Sequence, residues 1–172
     1  MNARSGFPAL AALALVCCAA AQAAGTVQVG QLLPDATMRG LNGPSKHLAA
    51  FRGTPLIINV WASWCGPCRA EMASLERLAW RDTSARFNVI GISTDDDPDL
   101  ARAALESSHA TIPHFIDSAL ELETLLGANR VPLTVLVGAD GRVIRKVYGA
   151  REWDGPGARK LIDAAFGGSP PH

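Results

Sequence analysis

The chain has 172 residues, and its 16 basic and 16 acidic side chains give a formal net charge of zero. This balance argues against a basic surface for nucleic acid or for an anionic membrane. No internal repeat and no second domain boundary is visible, so we expect a single domain over residues 24–172, which is long enough to fold without structural disulfides.

Residues 1–23 have the layout of a secretory signal peptide. Arg4 precedes an alanine-rich apolar run from Phe7 to Ala20, and Ala21-Gln22-Ala23 is a small-x-small cleavage site. We therefore predict an exported, periplasmic or otherwise extracytoplasmic domain. Two alternatives stay open: the apolar run can serve as an uncleaved membrane anchor, and Cys18 can be lipidated in a loose lipoprotein box.

The next elements are an extended segment and a central strand. The turn residues Leu41-Asn42-Gly43-Pro44 predict a β-hairpin across Thr37 to Leu48. The apolar run from Leu56 to Trp61 predicts a buried strand in the middle of a sheet. Asn59 is the polar residue in this strand, and a buried amide there would need hydrogen-bond partners.

Two cysteines, Cys65 and Cys68, follow this strand and are separated by Gly66 and Pro67. Cys65 is expected where the turn meets a helix, because free N–H groups and the helix dipole favour its thiolate there, which makes it the candidate nucleophile. Pro67 suits the first helical turn. Cys68 lies one turn on, near enough to form a disulfide after a modest contraction. A loop of about four residues stabilises a fold by only roughly 2 kcal/mol, so we interpret the pair as a reversible redox couple.

Metal binding is the main alternative use of these cysteines. A zinc site needs four ligands, but beyond the leader there is no further cysteine, and the histidines His47, His109, His114 and His172 are scattered without paired spacing, so no metal and no cofactor is predicted. The acidic run Asp95-Asp96-Asp97 lacks the alternation and the glycine of a calcium loop. We interpret this run as a solvated loop and a helix cap.

The string Trp64-Cys65-Gly66-Pro67-Cys68 after an apolar strand resembles the thioredoxin signature, and the longer string to Glu71 is similar to the TlpA/ResA branch of exported thioredoxin-like proteins. The resemblance extends from Val29 to Phe166. It implies an α/β thioredoxin-like fold in which helices flank a mixed central sheet. It also implies an N-terminal β-hairpin extension and an inserted strand and helix.

The helix after the cysteines carries a candidate proton acceptor. At helical spacing its apolar stripe is Met72, Leu75, Leu78 and Ala79, whereas Arg69, Glu76 and Arg77 are predicted to point away. Glu71 falls on the margin of the stripe, where partial desolvation would raise the pKa of its carboxyl group toward the range useful for proton exchange. The alternative is a first-turn glutamate favoured only by the helix dipole.

The resemblance favours the catalytic interpretation of Glu71. Thioredoxin has a buried aspartate at the position of Asn59, whose amide cannot exchange protons in this way. A glutamate at the position of Glu71 is an active-site residue in ResA-like proteins. These proteins usually have a proline soon after that glutamate, where this chain has Met72-Ala73.

The middle of the chain predicts a second buried strand, Phe87 to Thr94, and then the inserted elements. Asp97 is expected to cap a helix from Asp99 to Ser108 that turns Leu100, Ala104 and Leu105 inward. A short strand from Pro113 to Asp117 and a helix from Ala119 to Leu126, ended by Gly127, should follow. His109 and His114 are assigned packing or surface roles.

The last part predicts a hairpin and a terminal helix. A strand from Arg130 to Val137 leads through the turn Asp140-Gly141 into Val143 to Tyr148, and a helix from Trp153 or Asp154 to Phe166 covers the sheet. From local sequence alone, Pro132 is a strand-start proline. The resemblance implies instead the cis-proline that faces the cysteine pair. The resulting substrate-binding residues are Trp64, Gly66, Pro67, Val131 and Pro132, with Val131 offering its backbone to an extended substrate.

The expected activity is that of an exported thiol-disulfide oxidoreductase. The resemblance implies a reductant of protein disulfides, acting on apocytochrome c or on copper-assembly proteins of an oxidase, that a membrane thiol-reductant transporter recharges. Two alternatives use the same dithiol: a Cu(I)-binding chaperone module and a general oxidant of the DsbA type.

Overall fold

The structure is a computed structural model that describes residues 25–81 and 86–167. The predicted signal peptide, with its alternatives, lies outside the described residues. The helices and strands run in the order β1 Thr37–Gly40, β2 Lys46–His47, β3 Leu56–Trp61, α1 Gly66–Arg81, β4 Asn88–Ser93, α2 Pro98–Ser107, β5 His114–Ile116, α3 Glu121–Leu126, β6 Leu133–Val137, β7 Val143–Tyr148 and α4 Pro156–Phe166. None of the described helices is long and apolar enough to cross a membrane.

All seven strands form one mixed sheet in the order β2-β1-β5-β4-β3-β6-β7. The central strand β3 pairs in parallel with β4 and antiparallel with β6, and each of its six residues is buried. A strand covered on both faces needs a continuous apolar run, and the sequence of β3 provides one. The predicted thioredoxin-like fold, with its mixed sheet and flanking helices, is confirmed.

The two faces of the sheet bury separate apolar clusters. Ile57 of β3 packs with Leu75 of α1 and Ile162 of α4, whereas its neighbour Ile58 packs with Leu126 of α3. This alternation follows from the period of two in a strand. Asn59 therefore points to the same face as Ile57, toward α1.

The predicted hairpin extension and the inserted elements join each other in the sheet. Thr37 pairs with His47 in the hairpin, and Arg39 of β1 pairs with Ile116 of β5. The insert thus supplies the strand that connects the extension to the parallel core, where β5 pairs with β4.

Several local predictions about the insert and the C-terminal part need correction. Leu100 is 55% exposed, because the inward face of α2 consists of Ala101, Ala104 and Leu105. Helix α3 begins only at Glu121, after a left-handed Leu120. Helix α4 begins at Pro156 rather than at Trp153 or Asp154, and the residues before it form a separate segment.

Glu76 was predicted to point away from the core, and this prediction is wrong. Glu76 is only 9% exposed, and its carboxylate accepts hydrogen bonds from the N–H groups of Thr111 and Ile112 at 2.8 and 3.0 Å. The loop before β5 folds over this side of α1, and helical periodicity alone does not reveal such a distant contact.

Candidate active site

The site begins at the junction of β3 and α1, where Cys65 directly precedes the first helical residue. The Cys65 N–H donates to the Ala62 carbonyl at 3.1 Å, which closes the turn. The Cys68 N–H donates to Cys65 Sγ at 3.2 Å. An N–H group in the first turn of a helix that points at a sulfur stabilises the thiolate form of that cysteine, here Cys65. The first turn of α1 carries no acidic residue that would oppose this effect.

Cys65 and Cys68 form a disulfide with their Cα atoms 5.3 Å apart. Cys65 is 5% exposed, whereas Cys68 has no exposed surface. An incoming sulfur can therefore reach the pair only at Cys65. The two cysteines are therefore not equivalent: Cys65 reaches the surface, and Cys68 lies behind it.

The turn before Cys65 is held by Asp95, which follows β4. One carboxylate oxygen of Asp95 accepts from the Ser63 N–H at 2.9 Å and from the Ser93 hydroxyl at 2.6 Å, and the other accepts from the Ser63 hydroxyl at 2.7 Å. The interpretation of the acidic run as solvated is thus wrong for Asp95, which is 3% exposed, although Asp97 does cap α2 by accepting from the Asp99 N–H.

Replacing Asp95 with asparagine should loosen this turn. An asparagine can keep an oxygen for the Ser63 N–H, but it loses the charge to which these groups donate, and a buried hydrogen bond to a charged group contributes about 1.5–3 kcal/mol. We expect a loss of this size in the unfolding free energy, measured by urea denaturation. Asp99→Asn, an exposed change in the same region, is the control and should stay within about 0.5 kcal/mol of wild type. Equal effects of the two changes would contradict the assignment.

The Glu71 carboxylate lies one helical turn beyond Cys68 and is 2% exposed. Its Oε1 accepts from Asn59 Nδ2 at 2.7 Å, and its Oε2 accepts from the Arg151 N–H at 2.9 Å and from Trp153 Nε1 at 3.1 Å. Burial raises the pKa of Glu71, and the three donors partly oppose that rise. The direction agrees with the sequence analysis, but Glu71 lies deeper than the margin predicted for it.

The extra burial comes from residues 151–154, which we call the covering segment. It connects β7 to α4 and lies across α1. Trp153 is completely buried, and its N–H donates to Ser74 Oγ at 2.9 Å. Sequence reasoning missed this contribution of Trp153, because it was assigned to the start of the terminal helix.

Val131 lies against the cysteine pair, and Pro132 follows it directly in the chain. The Val131–Pro132 peptide bond is cis, as the resemblance implied. Val131 packs against the cluster that contains both cysteines. Within residues 25–81 and 86–167, neither the N–H nor the C=O of Val131 has a hydrogen-bond partner, whereas the Pro132 carbonyl accepts from the Gly149 N–H.

The remaining predicted substrate-binding residues surround Cys65. Trp64 is 72% exposed, and Gly66 and Pro67 are also exposed. Solvent-exposed apolar surface of this kind is typical of a site that binds another chain. Trp64 and Val131 are far apart in the sequence, and the fold brings both to the region around the cysteines.

His114 is a buried packing residue. Its Nδ1 accepts from Trp61 Nε1 at 3.1 Å, and burial lowers the pKa of His114 to about 3, so it is neutral. Gly91 makes room for the ring, because a Cβ at this glycine would lie 2.1 Å from His114 Nδ1. No cluster of three or more potential metal ligands occurs among the described residues.

Comparison with known proteins places the chain among thiol-disulfide oxidoreductases. Residues 28–162 match the family model Redoxin. The thiol:disulfide interchange protein DsbE of Vibrio cholerae is 31% identical over 134 residues, which cover 74% of this chain and 71% of the relative. The thiol-disulfide oxidoreductase ResA of Bacillus thuringiensis subsp. konkukian is 24% identical over 123 residues, which cover 72% of this chain and 71% of the relative.

Solved structures agree on the fold. A crystal structure from Chlorobium tepidum, assigned as a thiol:disulfide interchange protein DsbE, superposes with a TM-score of 0.75 at 24% identity and covers 81% of this chain and 99% of that one. A second thiol:disulfide interchange protein of Chlorobium tepidum gives a TM-score of 0.67 at 18% identity, covering 82% and 99% of the two chains. At these identities the likeness establishes the architecture alone.

Proposed function

Since this chain belongs to the Redoxin family and is a thiol-disulfide oxidoreductase, we propose that it reduces protein disulfides outside the cytoplasm. The observation that carries the proposal is the unequal burial of the two cysteines: Cys65 keeps some exposed surface, whereas Cys68 has none and lies one helical turn before the buried Glu71. A structural disulfide needs neither feature.

The reaction begins with the reduced protein. The Cys65 thiolate attacks one sulfur of the client disulfide, the client S–S bond breaks, and a mixed disulfide forms as the first client thiolate leaves. The Cys68 thiol then loses its proton and attacks Cys65 Sγ, which releases the second client thiolate. Two electrons pass to the client, whose thiolates take up two protons, and Cys65 and Cys68 end as the disulfide.

Glu71 is the group proposed to take the proton from Cys68. It lies one helical turn from Cys68 on the same inward face of α1, and both side chains are out of solvent. A carboxyl group with a raised pKa exchanges protons near neutral pH more readily than an ordinary glutamate does. Glu71 also stabilises the fold through the three hydrogen bonds that its side chain accepts, and this role is compatible with proton exchange.

The client is proposed to lie as an extended chain along Val131. The backbone N–H and C=O of Val131 can pair with such a chain, in the manner of an added strand, and Trp64 offers it an apolar contact. Gly66, which directly follows Cys65, has no side chain that would block approach to it, and the exposed Pro67 ring adds to the apolar surface. Recognition through the backbone suits a protein that acts on polypeptides.

The proposed clients are apocytochrome c or copper-assembly proteins of an oxidase, with a membrane thiol-reductant transporter as the source of electrons. Support comes from the similarity of Trp64 to Glu71 to the TlpA/ResA branch and from the relatives named DsbE and ResA. The proposed extracytoplasmic location is supported by the predicted signal peptide of residues 1–23.

A redox titration of residues 24–172 tests the direction of electron flow. The oxidised fraction is measured by thiol alkylation against glutathione and dithiothreitol buffers, together with the reduction of insulin. A reductant should have a potential below about −200 mV, whereas a DsbA-type oxidant would lie near −120 mV. A Cu(I)-binding module would leave insulin intact and bind Cu(I) tightly, and that result would overturn the proposal.

A further inference from the structure

The covering segment does more than close the core, because it directs two N–H groups at one carboxylate oxygen. Oε2 of Glu71 receives the Arg151 N–H at 2.9 Å and the Trp153 indole N–H at 3.1 Å. A carboxylate accepts both as charge-assisted hydrogen bonds, which are stronger than the hydrogen bonds that a neutral carboxyl oxygen accepts. The arrangement therefore favours the charged carboxylate, against the effect of burial.

The covering segment is fastened to α1 independently of Glu71. The backbone N–H of Trp153 donates to Ser74 Oγ at 2.9 Å, and the Asp154 carboxylate accepts from Arg77 at 2.7 Å and from Arg81 at 3.0 Å. These contacts hold the two donors, the Arg151 N–H and the Trp153 indole N–H, in place whatever the charge of Glu71. Donors that are held in place by other contacts lose little freedom when they bind a charge.

We propose that the covering segment is a positioning element of the redox site, in which Trp153 sets the pH at which Glu71 takes up the proton of Cys68. The inference rests on the proposed function, since only a thiol-disulfide exchange at Cys68 gives the Glu71 proton a role. Trp153 is completely buried and packs in a different apolar cluster from the two cysteines, so it acts through Glu71.

In the part of the chain that the structure describes, few other charged or titratable groups surround Glu71. Strands β3 and β6 contribute the neutral Asn59 amide and the Thr134 hydroxyl, which accepts from Asn59 Nδ2 at 3.1 Å. Helix α1 contributes the Cys68 thiol in the reduced protein. The covering segment contributes the exposed Arg151 side chain and the acids Glu152 and Asp154, which are paired with Arg77.

The experiment is a ¹³C NMR titration of the Glu71 carboxyl group in the oxidised protein, where neither cysteine ionises. Trp153→Phe keeps an aromatic ring in the core and removes one donor, so the midpoint should rise by about one pH unit. Trp80→Phe is the matched control: Trp80 is an exposed tryptophan of the same helix as Glu71, and its indole donates to Thr111 instead. The control midpoint should equal that of wild type.

A second measurement uses the unmodified protein and does not depend on the folding of a variant. The Trp153 indole N–H resonance should shift with pH at the same midpoint as the Glu71 carboxyl group, because its acceptor changes charge. This titration should vanish in Glu71→Gln, while the Trp80 indole resonance should behave the same in that variant as in wild type, because Trp80 donates to Thr111 and not to Glu71. A Trp153 resonance that ignores the Glu71 midpoint, or a midpoint in Trp153→Phe within 0.3 pH units of wild type, would overturn the inference. Both measurements work without a client, so their failure leaves the proposed function to be judged by client reduction alone.

Discussion

Replacing Cys68 with serine should turn the protein into a trap for its clients, whereas replacing Cys65 should abolish every covalent step. Cys65 is the sulfur with exposed surface, and Cys68 has none. Without Cys68 the mixed disulfide at Cys65 has no resolving thiol and accumulates. Loss of a nucleophile lowers turnover by several orders of magnitude, so insulin reduction by Cys65→Ser should fall to background.

The trapped species are measured by mass spectrometry after acid quenching and non-reducing separation. Cys65→Ser and the double variant Cys65→Ser/Cys68→Ser serve as controls and should recover no clients. Recovery of the same clients by Cys65→Ser would show that Cys68, and not Cys65, is the nucleophile. Absence of any mixed disulfide in Cys68→Ser would contradict the two-step exchange.

Glu71→Gln should slow the step that needs the Cys68 proton while leaving the fold intact. General acid–base groups contribute typically about 10²–10⁴-fold, and we expect a loss of roughly 10²-fold in mixed-disulfide resolution near neutral pH. The glutamine oxygen can keep the donors from Arg151 and Trp153. Its NH2 then faces Asn59, whose amide can flip to accept it, while the Thr134 hydroxyl turns to donate. Stopped-flow measurement of resolution across pH gives the result.

The same substitution should change how stability depends on pH. Burial raises the folded-state pKa of Glu71, so the folded protein binds this proton more tightly than the unfolded chain does. The contribution is complete below the ordinary pKa of glutamate, and it is lost as the pH rises through the raised pKa. The unfolding free energy of wild type should therefore fall across that window relative to Glu71→Gln, as measured by urea denaturation of the oxidised protein.

Glu76→Gln is the matched control for the measurement of mixed-disulfide resolution. Glu76 is a second buried glutamate of α1, and it accepts from the Thr111 and Ile112 N–H groups, away from the cysteines. Its replacement should affect stability but leave the resolution rate unchanged. If Glu76→Gln slowed resolution as much as Glu71→Gln does, the effect would belong to the helix and not to a proton acceptor.

Much of this molecule follows from local sequence. An apolar run marks β3, Cys-Gly-Pro-Cys marks the start of α1, and Asp97-Pro98 marks the start of α2. Each depends on neighbours a few residues apart, where backbone conformation and helix capping act directly. The cis form of the Val131–Pro132 bond was expected only from the family resemblance, since local sequence favours a simple strand start.

The tertiary structure alone decided the burial of three carboxylates, whereas the burial of Asn59 followed from its place in an apolar strand. Asp95, Glu76 and Glu71 were predicted as solvated, outward or marginal, yet each is nearly inaccessible. Their partners lie 32, 35 and 80 residues away in Ser63, Thr111 and Arg151. Helical periodicity describes one element at a time, whereas the burial of a carboxylate depends on which distant segment covers it and supplies its donors.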